Sequence, residues 1–115
     1  MRKIIHIIVF MIPVFCYGQM KSIGTPNIIS YQKSDYNAGT QNWGIAQDKN
    51  GLMYFANNDG VLRFDGINWD LIPVFRSSPV RSIAIDGNDN IYVGLMNDFG
   101  VLEQTPSGIL EYKSF

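Results

Sequence analysis

The stretch Gly44-Ile45-Ala46-Gln47-Asp48 has a counterpart at an offset of 38 residues, Ser82-Ile83-Ala84-Ile85-Asp86. Further aligned pairs follow in the same order: Met53-Tyr54 with Ile91-Tyr92 and, after a two-residue insertion, Gly60-Val61-Leu62 with Gly100-Val101-Leu102. Self-similarity at a fixed spacing of about forty residues is typical of a repeat protein. The alignment therefore indicates two successive copies of one structural unit.

Each copy contains four short runs rich in Ile, Val, Tyr, Phe and Trp, separated by Gly, Asn and Asp. Such runs are strand signals, and the connectors suit tight hairpins because Gly and Asn tolerate a positive φ. The predicted strands are 43–47, 52–56, 61–65 and 68–73 in the first copy, and 81–85, 90–94, 100–104 and 108–113 in the second.

Four antiparallel strands in about forty residues match one blade of a β-propeller. A β-sandwich or a simple meander is the alternative, but the regular spacing favours the propeller. Small residues also recur where blades crowd around an axis: Gly44 and Ala46 in the first copy, Ser82 and Ala84 in the second. We predict an all-β chain with blade 1 at 42–79 and blade 2 at 80–115, the start of a propeller of about seven blades.

Residues 1–18 have the pattern of a secretory signal peptide. Arg2 and Lys3 precede an apolar run of about a dozen residues, shorter than the roughly 20 needed to span a bilayer. Cys16-Tyr17-Gly18 places small residues before a cleavage site at Gln19. A retained membrane anchor and lipidation of the cysteine are the alternatives, and we expect cleavage and export.

The segment 19–41 lies outside the two copies. Asn27 to Gln32 reads as a strand and is followed by a polar loop. The N-terminal strand of a propeller commonly completes its last blade. We therefore expect Ile28 to Tyr31 to act as a closing strand in a longer protein.

Composition excludes several classes of chemistry for the mature segment. Cleavage removes two of the nine basic residues and none of the ten acidic ones, which leaves a net charge of −3. No basic run is available for phosphates, so we expect no contact with nucleic acid. The one cysteine and the one histidine, His6, leave with the signal peptide, so disulfides and imidazole chemistry are excluded.

Two groups of carboxylates invite a chemical role. Asp86-Gly87-Asn88-Asp89-Asn90 spaces oxygen donors like the start of a calcium loop, but the glycine and the bidentate glutamate of such a loop are absent. Asp65 and Asp70 resemble the paired acids of a glycosidase. Turn formation accounts better for both groups, and we predict no catalytic residue, no metal and no cofactor.

A family resemblance lies in Tyr36 to Asp48, which includes Gln41-Asn42-Trp43, and in Gly51 to Asn57, which includes Tyr54-Phe55-Ala56-Asn57. With Asp59 to Gly66 and Trp69, these stretches resemble the two-component regulator propeller family. The resemblance extends from Ile23 to about Leu110. The second copy departs from the family pattern, because Asp89-Asn90 replaces a turn glycine and Thr105 to Gly108 replaces an aromatic-Asp-Gly turn.

The resemblance implies the ligand-sensing part of a signal-transduction protein that regulates transcription. In such proteins the propeller precedes a triple-tyrosine domain, a membrane helix, and a LuxR-type DNA-binding module or a histidine kinase. It implies a periplasmic ectodomain of an inner-membrane protein, with an extracellular glycan and the remaining blades and domains as partners. A secreted propeller lyase or glycosidase and a cell-surface scaffold are the alternatives.

Loops on a rigid scaffold are the usual place of recognition. In propellers, these are the loops that lead into the innermost strands and the loops that join the second and third strands. Trp43 is the aromatic residue best placed to stack on a sugar. The candidate ligand-binding residues are Asn42, Trp43, Asn58, Arg81 and Asn97.

Overall fold

The computed structural model describes residues 24–115, so the predicted signal peptide lies outside the described residues. The elements, in order, are α1 (Lys33–Tyr36), β1 (Asn42–Gln47), β2 (Met53–Asn57), β3 (Gly60–Phe64), β4 (Trp69–Ile72), a 3-10 turn (Phe75–Ser77), β5 (Val80–Ile85), β6 (Ile91–Leu95), β7 (Phe99–Gln104) and β8 (Leu110–Ser114). The all-β prediction is confirmed, and each strand begins and ends within two residues of its predicted bounds.

The strands form two antiparallel sheets, each in sequential order: sheet 1 is β1-β2-β3-β4 and sheet 2 is β5-β6-β7-β8. Their registers correspond, since Ile45 lies opposite Phe55 in sheet 1 and Ile83 lies opposite Val93 in sheet 2. The hairpin after each first strand is also built alike. Asp48 and Asp86 each accept backbone N–H groups of their own turn and a tyrosine hydroxyl.

The two sheets pack front to back. Successive side chains of a strand point to opposite faces, so each sheet has a face A, which carries the small residues of its first strand, and a face B opposite. Face A of sheet 1 includes Tyr54, Ala56 and Val61, and these residues share one buried core with face B of sheet 2, which includes Val93 and Leu102.

Close approach in the centre of this packing depends on a small residue. A Cβ atom added to Gly44 on β1 would lie 3.6 Å from Cγ2 of Ile83 on β5. A larger side chain at this position would separate the two first strands. Of the small residues predicted at an axis, Gly44 is therefore one that lies where the two sheets approach.

The segment before β1 differs from its prediction. Residues 27–32 form no strand in the structure, and the short helix α1, absent from the sequence prediction, follows them. The helix is capped at its start by the Asp35 carboxylate, which accepts the Gln32 N–H at 2.7 Å, and it ends at Asn37 with a φ of 48°. The role of a closing strand in a longer propeller stays a prediction.

Aromatic packing holds this segment on face B of sheet 1. The Tyr31 ring meets Phe64 and Trp69 edge-on, with centroids 5.1 and 5.2 Å apart, and Tyr36 lies 5.6 Å from Trp69. Ala38 is buried as well. These contacts attach the segment to face B through its tyrosine rings, while Ile28 and Ile29 stay exposed.

Candidate functional site

All five candidate residues lie at the same end of the two sheets, which we call the rim. At the rim β1 and β5 begin, and the β2–β3 and β6–β7 turns connect their strands. The antiparallel order brings these loops together, because the start of each first strand lies beside the end of the second. The topology therefore gathers residues that are up to about fifty positions apart in the sequence.

Three of the candidates form one group, the Trp43 cluster: Trp43, Asn58 and Arg81. The indole Nε1 of Trp43 donates to Oδ1 of Asn58 at 2.8 Å. The guanidinium carbon of Arg81 lies 4.2 Å from the centre of the Trp43 ring, which is a cation–π contact. Because Trp43 belongs to sheet 1 and Arg81 to sheet 2, the cluster bridges the two sheets.

The Trp43 cluster combines an exposed aromatic ring with a cation. The Trp43 side chain is 46% exposed although it is large and apolar. Within residues 24–115, Arg81 forms no salt bridge, and its closest polar partner is the Met96 sulfur at 3.7 Å. An aromatic ring beside an unpaired guanidinium suits a ligand that offers an apolar ring face together with hydroxyl or carboxylate oxygens.

Asn42 has a structural role instead. Its Oδ1 accepts a hydrogen bond of 2.8 Å from Nδ2 of Asn57, and the same amide donates to the Gly39 carbonyl at 2.6 Å. Asn57 is completely buried, and its Oδ1 accepts the Asp59 N–H at 3.0 Å. Sequence reasoning missed Asn57, because no local pattern distinguishes it from the neighbouring Asn58.

Asn97 lies apart from the Trp43 cluster and lines an open cleft of about 550 Å³. The cleft separates the β4–β5 connection from the β6–β7 turn, and Met96, which contacts Arg81, lies between it and the Trp43 cluster. Its lining residues are Phe75, Arg76, Ser77, Ser78, Pro79, Leu95, Asn97, Asp98 and Ser114. Sequence reasoning named this connection as a recognition loop but predicted no cleft.

The carboxylate of the cleft is held by two hydroxyl groups. Oδ1 of Asp98 accepts the Ser114 hydroxyl at 2.8 Å, and Oδ2 accepts the Tyr112 hydroxyl at 2.9 Å. These hydrogen bonds, that of Ser114 first, lower the pKa of Asp98. Burial, together with the bond to Asp98, raises the pKa of Tyr112 to about 12. Asp98 is therefore ionised and Tyr112 neutral over the physiological range.

The backbone of the cleft is strained at two successive residues. Arg76 and Ser77 have φ angles of 53° and 51°, in the left-handed region that residues with a Cβ avoid. Such a conformation costs about 1–2 kcal/mol for each residue. The conformation is held by backbone bonds from Ser77 to Val74 and from Ser78 to Phe75, both 3.2 Å. It places the Arg76 guanidinium 4.8 Å from the Phe75 ring centre.

The carboxylates considered for calcium or for catalysis are engaged in local structure. Asp86 accepts the amide and backbone groups of Asn90 and the backbone N–H of Asn88, and these bonds, the Asn90 amide first, lower its pKa to about 2. Asp65 accepts two N–H groups of its own turn. Asp70 forms a salt bridge of 2.6 Å with Arg63.

Two further kinds of feature are absent from residues 24–115. No group of three or more histidine, cysteine, aspartate or glutamate side chains is arranged to hold a metal ion in this part of the chain. The same residues contain no helix that is long and apolar enough to cross a membrane.

Comparisons with known proteins add no assignment. Neither the models of protein families nor the curated proteins gave a match to this sequence. The resemblance to the two-component regulator propellers therefore remains an interpretation of the residues quoted for it. The geometry of the rim is accordingly the main guide to function.

Proposed function

We propose that this chain contributes two blades to a β-propeller that senses an extracellular ligand for an exported, membrane-associated regulator of transcription. The observation that carries the ligand-binding role is the Trp43 cluster. It sets an exposed indole ring under an unpaired guanidinium where two sheets meet. The expected ligand is an oligosaccharide, because ring C–H groups can pack on indole while hydroxyl oxygens accept from arginine.

The propeller part of the proposal is supported by the front-to-back packing. In a sandwich of two sheets, each sheet turns one apolar face toward the other, and the arrangement is complete. Here sheet 2 presents on its free side the same kind of face A that sheet 1 buries, with Ser82, Ala84 and Tyr92 in place of Gly44, Ala46 and Tyr54. An arrangement that repeats in this way accepts further sheets, and it closes as a ring where the rotation between successive sheets adds up to a full turn.

The binding role is tested by titration of the intact protein with oligosaccharides. The chain has two tryptophans, so Trp69→Phe leaves Trp43 as the only indole reporter. We expect a saturable change of its fluorescence, and calorimetry should show that Trp43→Ala and Arg81→Ala each weaken binding about tenfold or more. Arg63→Ala, on the outer strands of sheet 1, is the matched control and should leave binding unchanged.

Two results would contradict the proposal. If the affinity for the oligosaccharide were unchanged in both Trp43→Ala and Arg81→Ala, the Trp43 cluster would not be part of the binding site. The coding sequence after Phe115 provides a separate test of the sensor role, for which we expect about five more blades and then a membrane helix. A reading frame that held the blades and no such helix would contradict a sensor that signals across a membrane.

A further inference from the structure

The cleft at the rim arises from one difference between equivalent positions of the two sheets. Asn42 lies opposite Asn57 in sheet 1, and Val80 lies opposite Leu95 in sheet 2. In sheet 1, the Asn57 amide ties the preceding loop to the turn through Gly39 and Asn42. The Leu95 side chain has no polar group that could form such hydrogen bonds. The β4–β5 connection is therefore not tied to the β6–β7 turn, and the cleft lies between them.

We propose that this cleft is a binding subsite for a sugar that carries a carboxylate, a uronic acid residue. The inference rests on the proposed sensing role and adds a position and a chemical class to it. The volume, about 550 Å³, lies in the range of about 300–1,000 Å³ that is typical of small-molecule sites. The cleft combines an apolar wall, one unpaired cation and several polar groups.

The free hydrogen-bonding groups of the cleft favour an anionic ligand. Within the described part of the chain, the Arg76 guanidinium is in no salt bridge. Asp98 keeps its negative charge, but each of its oxygens already accepts a hydroxyl, from Tyr112 or from Ser114. The charged group of the cleft that is left to bind a ligand is therefore the Arg76 guanidinium. The planar fork of arginine binds a carboxylate through two parallel hydrogen bonds, which is why a carboxylate is the best match for it.

The other lining groups favour a hydroxylated ring over a simple carboxylate. Ser77, Ser78 and Asn97 offer hydrogen-bonding groups at the cleft wall. Phe75 is 52% exposed and, with Pro79 and Leu95, supplies an apolar surface for ring C–H groups. Hydroxyls and a ring face occur together in a sugar, whereas acetate offers neither.

The strained backbone is the third observation. Arg76 and Ser77 occupy left-handed conformations in succession, and such strain is concentrated at ligand-binding sites because it fixes a side chain in advance. Here it holds Arg76 against the Phe75 ring, at the mouth of the cleft. The guanidinium is thus positioned before a ligand arrives, which lowers the entropic cost of binding.

The experiment compares galacturonic acid, galactose and acetate as probes of the intact protein, by calorimetry and by NMR shifts of the rim residues. We expect galacturonic acid to bind, with the largest shifts at residues 75–79 and 95–98, and to bind about tenfold or more tightly than either galactose or acetate. Arg76→Gln should abolish the preference over galactose. Arg63→Gln removes a guanidinium at the outer strands and should keep the preference.

A second variant separates binding from folding. Ser77→Gly relieves the left-handed strain, so it should raise the melting temperature while it weakens galacturonate binding several-fold. If Ser77→Gly raised the melting temperature and left the affinity for galacturonic acid unchanged, the β4–β5 connection would have only a structural role, and the inference would be overturned. So would equal binding of galactose and galacturonic acid, equal binding of acetate, or an unchanged preference in Arg76→Gln.

The outcomes also separate this inference from the proposed function. If Trp43→Ala abolishes oligosaccharide binding while Arg76→Gln changes nothing, the rim binds its ligand and the subsite is wrong. If no saccharide binds the wild-type protein, both are wrong. If Arg76→Gln alone removes galacturonate binding, the subsite stands, and the recognition surface moves from the Trp43 cluster to the cleft.

Discussion

Sheet 1 and sheet 2 have the same strand order and corresponding registers, yet their equivalent residues lie in opposite surroundings. Tyr54 on face A of sheet 1 is 3% exposed, whereas Tyr92 at the same position of sheet 2 is 39% exposed. Val61 is fully buried and its counterpart Val101 is only partly so. The position of a sheet in the stack, rather than its own sequence, therefore determines what is core.

The two ends of the stack differ as well. Face A of sheet 2 is not covered by another sheet; Phe115 lies 6.4 Å from Tyr92 and 5.4 Å from Phe99 on it, and Lys113 forms a salt bridge of 3.2 Å with Glu103. Face B of sheet 1 is covered at its outer strands by Tyr31 and the segment after it, but Ile45 on β1 is 59% exposed. In the proposed propeller, these two faces are the ones against which further sheets would pack.

The largest expected effect comes from a charge placed on the two versions of face A. Val61→Lys buries an ammonium group in the core and should cost about 3–5 kcal/mol, a large part of the roughly 5–15 kcal/mol that stabilises an ordinary domain. Val101→Lys places the same group on the free face and should change stability by no more than about 0.5 kcal/mol. Urea unfolding followed by circular dichroism measures both.

The pair also tests the packing itself. Lysine on the free face should reduce self-association of the protein in sedimentation experiments, because a charge opposes the docking of another sheet there. Similar unfolding free energies for the two variants would mean that the sheets do not pack front to back. Val61→Ala and Val101→Ala provide the uncharged controls.

The strands and their bounds were predictable because each run alternates and ends at turn residues, as in Asp48 to Gly51 and Asp86 to Asp89. The alternation of side chains along a strand does not show which face of the sheet another sheet covers. Tyr54 and Tyr92 are both tyrosines at equivalent positions of the two sheets, yet only Tyr54 is buried. Residues 27–32 form no strand in the structure although Ile28 to Tyr31 has strand composition. Its conformation is determined by contacts with Trp69 and Phe64, which lie far along the chain.

A smaller effect is expected at Asn57, which distinguishes the two halves of the rim. Asn57→Ala removes bonds to the Gly39 carbonyl, the Asn42 amide and the Asp59 N–H, and should cost about 2–3 kcal/mol because these groups are partly or fully buried. Asn97→Ala, at the exposed turn of sheet 2, should cost less than about 0.5 kcal/mol. Chemical denaturation of both variants checks the difference.

The site could be predicted only in part for a related reason. Trp43, Asn58 and Arg81 were found because exposed donors and an aromatic ring at strand ends are visible in the sequence. Nothing local distinguishes Asn57, which is buried, from Asn58, which is at the surface. The cleft depends on the absence of a bridging amide at Leu95, and a missing hydrogen bond leaves no pattern in a sequence. If Asn57→Ala proved neutral, the missing amide would not explain the cleft.

The smallest effect concerns the tyrosine hydroxyls on the two faces. Tyr54 donates to Asp48 and Tyr92 donates to Asp86, each at 3.1 Å. Burial first, and then the Asp48 carboxylate, raises the pKa of Tyr54 to about 12, whereas for the exposed Tyr92 the hydrogen bond to Asp86 is the main cause of a raised pKa.

Because the pKa of Tyr54 is higher in the folded than in the unfolded state, its contribution to stability is complete below pH 10 and is lost as the pH rises toward 12. Tyr54→Phe should therefore cost about 1 kcal/mol at neutral pH and reduce the alkaline loss of stability, to which Tyr112 also contributes because its pKa is raised to about 12 as well. Tyr92→Phe should reduce that loss less. Urea midpoints measured from neutral to alkaline pH test this, and an equal response of the two variants would mean that face A of sheet 1 is no more buried than face A of sheet 2.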